Sequence, residues 1–296
     1  MKLTGRTILI TGGSAGIGLA FALKFLELGN QVIVTGRRES ALNELKAKYP
    51  KLHTIKSDVA DPAQIAVLAK RVKGGYPKLD VLMNNAGIML YKNLKVPAAD
   101  LDALMAEVNI NLGGVIRMTS AFVDVLAANK GTIINVSSAL AFVPLPSAPI
   151  YSATKAAVHA YTQSLRFQLE ESGVEVIDLM PPAVKTELTT EMQEGEGVAL
   201  ISTDKLIKQS FAGFKAGKLE IRPGQSNLLA LMKDLNDIGL LTPEQQRQTL
   251  DALDAAGQTL LAINTARRLY GYDAITAKSY IEKLRNARTS HRTWSE

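Results

Sequence analysis

The chain has 296 residues, is 47% hydrophobic and 21% charged, and carries a net charge of +6, which predicts one large α/β domain, or one domain plus an appendage, with a substantial core. The absence of cysteine excludes disulfides and thiolate chemistry, and His53, His159 and His291 lack ligand spacing, so no metal is expected. No basic block interleaved with aromatics suggests nucleic acid, no apolar run is read as long enough to span a bilayer, and the N-terminus does not read as a signal peptide, so a cytoplasmic protein is expected, with no membrane partner.

Thr7-Ile8-Leu9-Ile10 is a short apolar run, as in a strand buried on both faces. It enters Thr11-Gly12-Gly13-Ser14-Ala15-Gly16-Ile17-Gly18, and a helical pattern follows from Leu19. Strand, glycine turn and helix form the context of a dinucleotide pyrophosphate site. Glycines admit the phosphate close to the backbone, and the helix N-terminus offers free N–H groups. The next strand, Gln31–Gly36, ends at Arg37 and Arg38, where an NAD-preferring site would place an acid on the ribose hydroxyl. Guanidinium groups there suit a 2′-phosphate and point to NADP(H), Arg37 being the better candidate; a solvated arginine pair is the alternative. A helix from Ser40 to about Lys48 leads to a strand at His53–Lys56, then Asp58 and Val59. Asp58 stands where an adenine edge would sit, or serves as a cap or turn residue.

A helix from Pro62 to about Lys73 precedes the strand Leu79–Met83, which ends in Asn84-Asn85-Ala86-Gly87. Those asparagines either tie strands together or touch a ligand. A long helix is expected from about Ala98 to Leu126, with Asn109 and Asn111 near Gly113-Gly114; a buried asparagine there must be hydrogen-bonded. Thr132–Val136 is a strand with Ser137 and Ser138 at its end. An apolar loop, 139–150, leads to a helix carrying Tyr151 and Lys155 at i and i+4, hence on one face. A lysine beside a phenol favours the phenolate and predicts a lowered tyrosine pKa, a plausible proton-transfer device. A further strand, 174–180, is closed by Pro181-Pro182. Strands alternating with helices predict a Rossmann-type, doubly wound parallel sheet, a three-layer αβα fold, with ligands at the strands' carboxyl ends.

On Thr11-Gly12-x-x-x-Gly16-x-Gly18, Asp58, Asn84-Asn85-Ala86-Gly87, Asn111, Ser138 and Tyr151-x-x-x-Lys155, residues 1–225 resemble the short-chain dehydrogenase/reductase family, and Leu140-Ala141-Phe142-Val143-Pro144 with Tyr151-Ser152-Ala153-Thr154-Lys155-Ala156-Ala157 looks most like the DltE-type bacterial oxidoreductases within it. The resemblance implies an NADP(H)-dependent oxidoreductase moving a hydride to or from a carbonyl or alcohol, or an imine, on a small apolar molecule. It makes Tyr151 the proton donor or acceptor, and Lys155 its modulator and a ribose contact. Ser138, rather than its neighbour Ser137, would hold the substrate oxygen, and Asn111 a relay water. Cofactor contacts fall at Gly12, Ser14, Ala15, Gly16, Ile17, Gly18, Arg37, Arg38, Asp58, Val59, Asn85, Ala86, Gly87, Tyr151, Lys155, Val184 and Thr186. Pro182 departs from the family's usual glycine and removes a donor. A homodimer or homotetramer, paired through the helices near 98–126 and 151–172, is also implied. The competing readings are a non-enzymatic NADP(H) sensor and an NAD-dependent alcohol dehydrogenase.

Residues 187–218 are expected to be a substrate loop, mobile at Gly195-Glu196-Gly197, with Leu188, Met192, Val198 and Leu200 offering apolar contact. A last strand is expected at 219–222. The chain then continues through 226–296 as a helical extension. It comprises a short helix at Asn227–Leu235, a helix opened by Thr242-Pro243-Glu244 and running to about Tyr270, and a final helix to about Arg288. The extension is expected to pack on the core or join subunits, or else to cover the active site or bind a partner.

Overall fold

The computed structural model describes residues 1–95, 100–193, 200–227, 229–230, 242–257 and 259–292. Among them β1 (Thr7–Ile10), β2 (Gln31–Gly36), β3 (His53–Lys56), β4 (Leu79–Asn84), β5 (Thr132–Val136), β6 (Glu175–Leu179) and β7 (Glu220–Ile221) form one parallel sheet. Its order is β3-β2-β1-β4-β5-β6-β7. The order reverses between β1 and β4, and the crevice at that switch point is where such sheets take ligands. The continuous apolar runs follow from burial on both faces: all of Ile8, Leu9, Ile10, Val32, Ile33 and Val34 are inaccessible.

Helices cover both faces. On one lie α1 (Gly16–Glu27), α2 (Glu39–Lys48) and α7 (Thr203–Lys215); on the other lie α3 (Pro62–Gly75), α5 (Gly114–Ala128) and α6 (Pro149–Gln168). Helix α7 occupies part of the stretch expected to be a substrate loop. Its Phe211 and Phe214 pack on Phe21 and Phe25 of α1, with ring centroids 4.9–6.5 Å apart, so burial of aromatic area fixes this segment as core. Gly195, Glu196, Gly197 and Val198 lie outside the described residues, as does most of the helix expected at 227–235.

The helix expected from Ala98 is not one straight rod. A short α4 (Leu101–Leu104) precedes a π-helical section, Val108–Gly113, which runs directly into α5. The stretch Val108–Ala128 is long and apolar enough to cross a membrane by length and composition, contrary to the sequence reading. In this fold it is a core helix, with Met118, Phe122 and Leu126 fully buried in the cluster beneath β4 and β5.

The segment expected as one helix from Pro243 to Tyr270 is two, α8 (Pro243–Ala255) and α9 (Thr259–Tyr270). Gly257, at φ +77°, ends α8 in the left-handed conformation that a residue without Cβ adopts readily. Thr242 and Gln245 form the capping box at its start. With α10 (Ala274–Arg292) these helices enclose Leu250, Leu253, Ala262, Ala266, Ala277 and Ile281.

Candidate active site

The turn after β1 is tied to the end of β4 by Thr11 and Asn85. Asn85 and Ala86 N–H both donate to Thr11 Oγ1 at 3.0 Å, and Asn85 Nδ2 donates to the Thr11 and Gly12 carbonyls at 3.0 and 3.1 Å. This leaves no room for side chains. A Cβ at Gly18 would run into the Gly12 carbonyl and Asn85 Nδ2. Gly18→Ala should therefore lower stability by about 1–3 kcal/mol, read as a lower denaturant midpoint with unchanged slope. Helix α1 begins at Gly16 with no capping side chain at Ala15 and no acid in its first turn. Its orphan N–H groups and the positive end of its dipole are left facing the cavity for an anion.

Asn84 lies deeper, bonding Asn135 Oδ1 at 2.8 Å and Thr119 Oγ1 at 3.3 Å, while Asn135 reaches Thr162 at 2.9 Å. Of the two asparagines, Asn84 only ties strands and helices together. Asn85 also lines the cavity. Asp58 closes an Asx turn onto Ala60 N–H at 2.9 Å, which is the turn role, and it also lines the cavity with Val59. Arg37 and Arg38 are exposed at the cavity's edge. Arg38 pairs with Glu187 across the mouth at 3.6 Å, whereas Arg37 has no ion-pair partner among the described residues.

At the centre, Tyr151 is 8% exposed and hydrogen-bonds Ser138. Ser138 Oγ also accepts from Leu140 N–H at 3.1 Å, capping the short turn Ala139–Ala141. Ser137 points elsewhere, donating to Asp178 Oδ1 at 2.5 Å, and Asp178 Oδ2 meets His159 Nδ1 at 2.6 Å. Lys155 donates Nζ–H to the Val136 carbonyl at 2.8 Å and sits 5.5 Å from the Tyr151 ring centroid. Burial pulls its pKa down to about 8, with the Asp178 carboxylate pulling the other way. The expected lowering of the Tyr151 pKa is not found in this structure. Burial pushes the phenol up to about 12, the Ser138 bond opposes this, and the Glu107 carboxylate adds to the rise. Glu107 is itself inaccessible, accepts from Leu90 N–H at 3.0 Å, and has its own pKa raised by burial.

Asn111 stands in the π-helical section, a local widening often found at functional sites. Its Nδ2 donates to the Ile88 carbonyl at 2.9 Å and Thr154 Oγ1 at 3.1 Å, and its Oδ1 accepts from Ile88 N–H at 2.9 Å. The side chain thus clamps the loop after β4 to α6. Asn109 is exposed and pairs with Arg117 at 2.7 Å.

One cavity of about 580 Å³ connects these groups. Gly12, Ser14, Ala15, Gly16, Ile17, Arg37, Arg38, Asp58, Val59, Asn85, Ala86, Gly87, Ser138, Tyr151, Lys155, Val184 and Thr186 all line it; Gly18 and Asn111 stand behind the lining. Sequence reasoning named Thr11 only as part of the glycine-turn motif and missed Glu107, Asp178 and His159, which support the site from behind. It also missed Leu229, Leu260 and Asn264, which reach the cavity from beyond the sheet. Only Thr11, leading into the glycine turn, had a local signal.

Residues 6–197 match the family model for short chain dehydrogenases. The chain is 41% identical over 224 residues to the Bacillus subtilis protein named "Uncharacterized oxidoreductase DltE", covering 75% of this chain and 89% of that one. It is 38% identical over 188 residues to a Schizosaccharomyces pombe NADPH-dependent 1-acyldihydroxyacetone phosphate reductase, covering 62% of each. Among solved structures, a Burkholderia cenocepacia short chain dehydrogenase in complex with NADP superposes with a TM-score of 0.70 at 28% identity, over 82% of this chain and all of that one.

Proposed function

Because the chain belongs to the short-chain dehydrogenase family of oxidoreductases, we propose that it is an NADP(H)-dependent reductase of carbonyl groups on largely apolar small molecules. The reading rests on one observation: Tyr151, bonded to Ser138 and adjacent to Lys155, shares a cavity with the glycine turn and Arg37. A phenol whose pKa burial raises to about 12 keeps its proton at neutral pH, so Tyr151 has a proton to donate when the reaction runs as a reduction. Tyr151 and Ser138 hold the substrate oxygen by hydrogen bonds, and the proton passes from the phenol to that oxygen as negative charge develops there. Lys155 keeps a positive charge beneath the phenol. When bound, the reduced nicotinamide supplies the hydride.

The residues fit a phosphorylated dinucleotide. The uncapped N-terminus of α1 offers donors to the pyrophosphate, and the guanidinium of Arg37 offers a cation to a 2′-phosphate. The names of two similar proteins, one NADPH-dependent and one seen with NADP, support the same choice. A charged hydrogen bond lost to repulsion predicts that Arg37→Asp shifts the NADPH-to-NADH affinity ratio toward NADH by about 10- to 100-fold. Titrating both cofactors against wild type and variant checks this, and an unchanged ratio would sink the assignment. Oxidation of NADPH across a panel of ketones, aldehydes and cyclic imines tests the reaction itself.

A further inference from the structure

The wall of the cavity nearest Tyr151 is completed from the helical extension. Leu260 and Asn264 of α9 both line it. Leu260 packs in the same cluster as Tyr151, Leu145, Ala148 and Met89. On its other side the extension grips the loop after Ser138: Ala139, Phe142 and Val143 share a buried cluster with Leu229, Leu250, Leu253 and Ala262. The helix is therefore seated on the reacting end of the site, one turn of backbone carrying Leu260 and Asn264 at i and i+4 on one face.

Asn264 is the polar group in that wall. It is 7% exposed, and its carboxamide has no hydrogen-bond partner among the described residues. The residue lines the cavity, so a molecule entering there can offer the carboxamide a hydrogen-bond partner. The cations among the described lining residues are Arg37 and Arg38, at the edge reached from β2, and Lys155, which is bonded to Val136. Of these, Lys155 comes within 5.5 Å of the ring centroid of Tyr151, and Leu260, Leu145 and Met89 surround that ring as an apolar cluster. Among these apolar side chains an uncharged polar group is desolvated at lower cost than a carboxylate or phosphate.

We propose that Asn264 is a substrate-binding residue whose carboxamide recognises a second, uncharged polar group, such as an ester, amide or hydroxyl, on the carbonyl substrate. Leu260 and Leu145 hold the apolar part of the same molecule. This rests on the reading of the site as a carbonyl reductase, and the test separates the two. Ethyl acetoacetate and 2-heptanone are ketones of matched chain length, of which only the first has a second polar group. Their binding to NADPH-loaded full-length Tyr151→Phe protein, measured by NMR titration, does not depend on turnover.

One hydrogen bond predicts about tenfold tighter binding of ethyl acetoacetate. Adding Asn264→Leu should erase that preference by weakening the ester alone. Asn264→Ser, smaller and still polar, should leave an intermediate preference and serves if the leucine variant does not fold. Absence of a preference in the reference protein would overturn the proposal. So would a preference that survives both substitutions, or equal weakening of both ketones. Turnover of the two ketones by the wild-type protein is a separate readout: selective binding without NADPH oxidation would sink the proposed reaction and leave the Asn264 contact standing.

Discussion

Tyr151→Phe should lower NADPH-dependent carbonyl reduction by about a hundred- to ten-thousand-fold, the range that a positioned general acid contributes. The substitution keeps the ring in the cluster formed with Leu145 and Ala148 and removes only the hydroxyl, with its bond to Ser138. The fold should survive it at a cost of about 1 kcal/mol, and NADPH binding should change little. The wild-type pH profile carries the sign of the mechanism. Lys155, with a pKa of about 8, loses its charge as pH rises through that value, while the phenol, at about 12, still holds its proton. Reduction should therefore decline above about pH 8 through loss of the ammonium beside Tyr151. Single-turnover rates across pH check this. A Tyr151→Phe enzyme with undiminished turnover would refute the assignment.

The parts of the site that the sequence reveals are those written into short, local patterns. The glycine turn is legible because strand, turn and helix are contiguous, and a backbone that approaches phosphate must be glycine-rich. Tyr151 and Lys155 are legible because four residues on a helix bring two side chains to one face. Their electrostatics are not, because burial, which the sequence does not state, outweighs the Ser138 hydrogen bond and raises the phenol's pKa. The choice between Ser137 and Ser138 was made by family likeness. The structure adds a physical reason: Ser137 is held by Asp178, from a strand 41 residues away. The clamp that Asn111 makes from the π-helical section onto Ile88 and Thr154 has no local signature, since its partners lie 23 and 43 residues away. Helix α7 was hidden because its apolar face is defined by Phe21 and Phe25, far back in the chain. The same reason hid Asn264, whose meaning depends on where α9 docks.

The largest stability effect is expected at Asp254, because it joins all three helices of the extension. Its side chain is fully inaccessible. Oδ1 accepts from Arg285 Nη2 at 2.5 Å and from Thr259 Oγ1 at 2.7 Å, and Oδ2 accepts from Arg285 Nε at 2.9 Å and Arg288 Nη2 at 3.0 Å. One carboxylate on α8 therefore ties the start of α9 to two arginines of α10. Those bonds hold its pKa down at about 2, the Arg285 guanidinium contributing most. A depressed carboxylate pKa stabilises the fold above the unfolded value near pH ~4 and loses that contribution as pH falls toward about 2. Asp254→Ala removes the acceptor that the two guanidinium groups share, while Arg288 keeps Asp251 Oδ1 at 3.1 Å and Arg285 keeps Thr259 Oγ1 at 2.8 Å. A broken pair of this kind costs about 3–5 kcal/mol when fully buried, and the partial exposure of both arginines reduces that to about 2–4 kcal/mol. Denaturant unfolding should show the loss. The kinetic consequence follows from the seat of α9 on the cavity: with Leu260 and Asn264 less firmly placed, KM for the carbonyl substrate should rise more than kcat falls, since Ser138, Tyr151 and Lys155 are carried by β5 and α6. A variant as stable as wild type, or one in which kcat alone collapses, would show that the clasp does not hold the substrate wall.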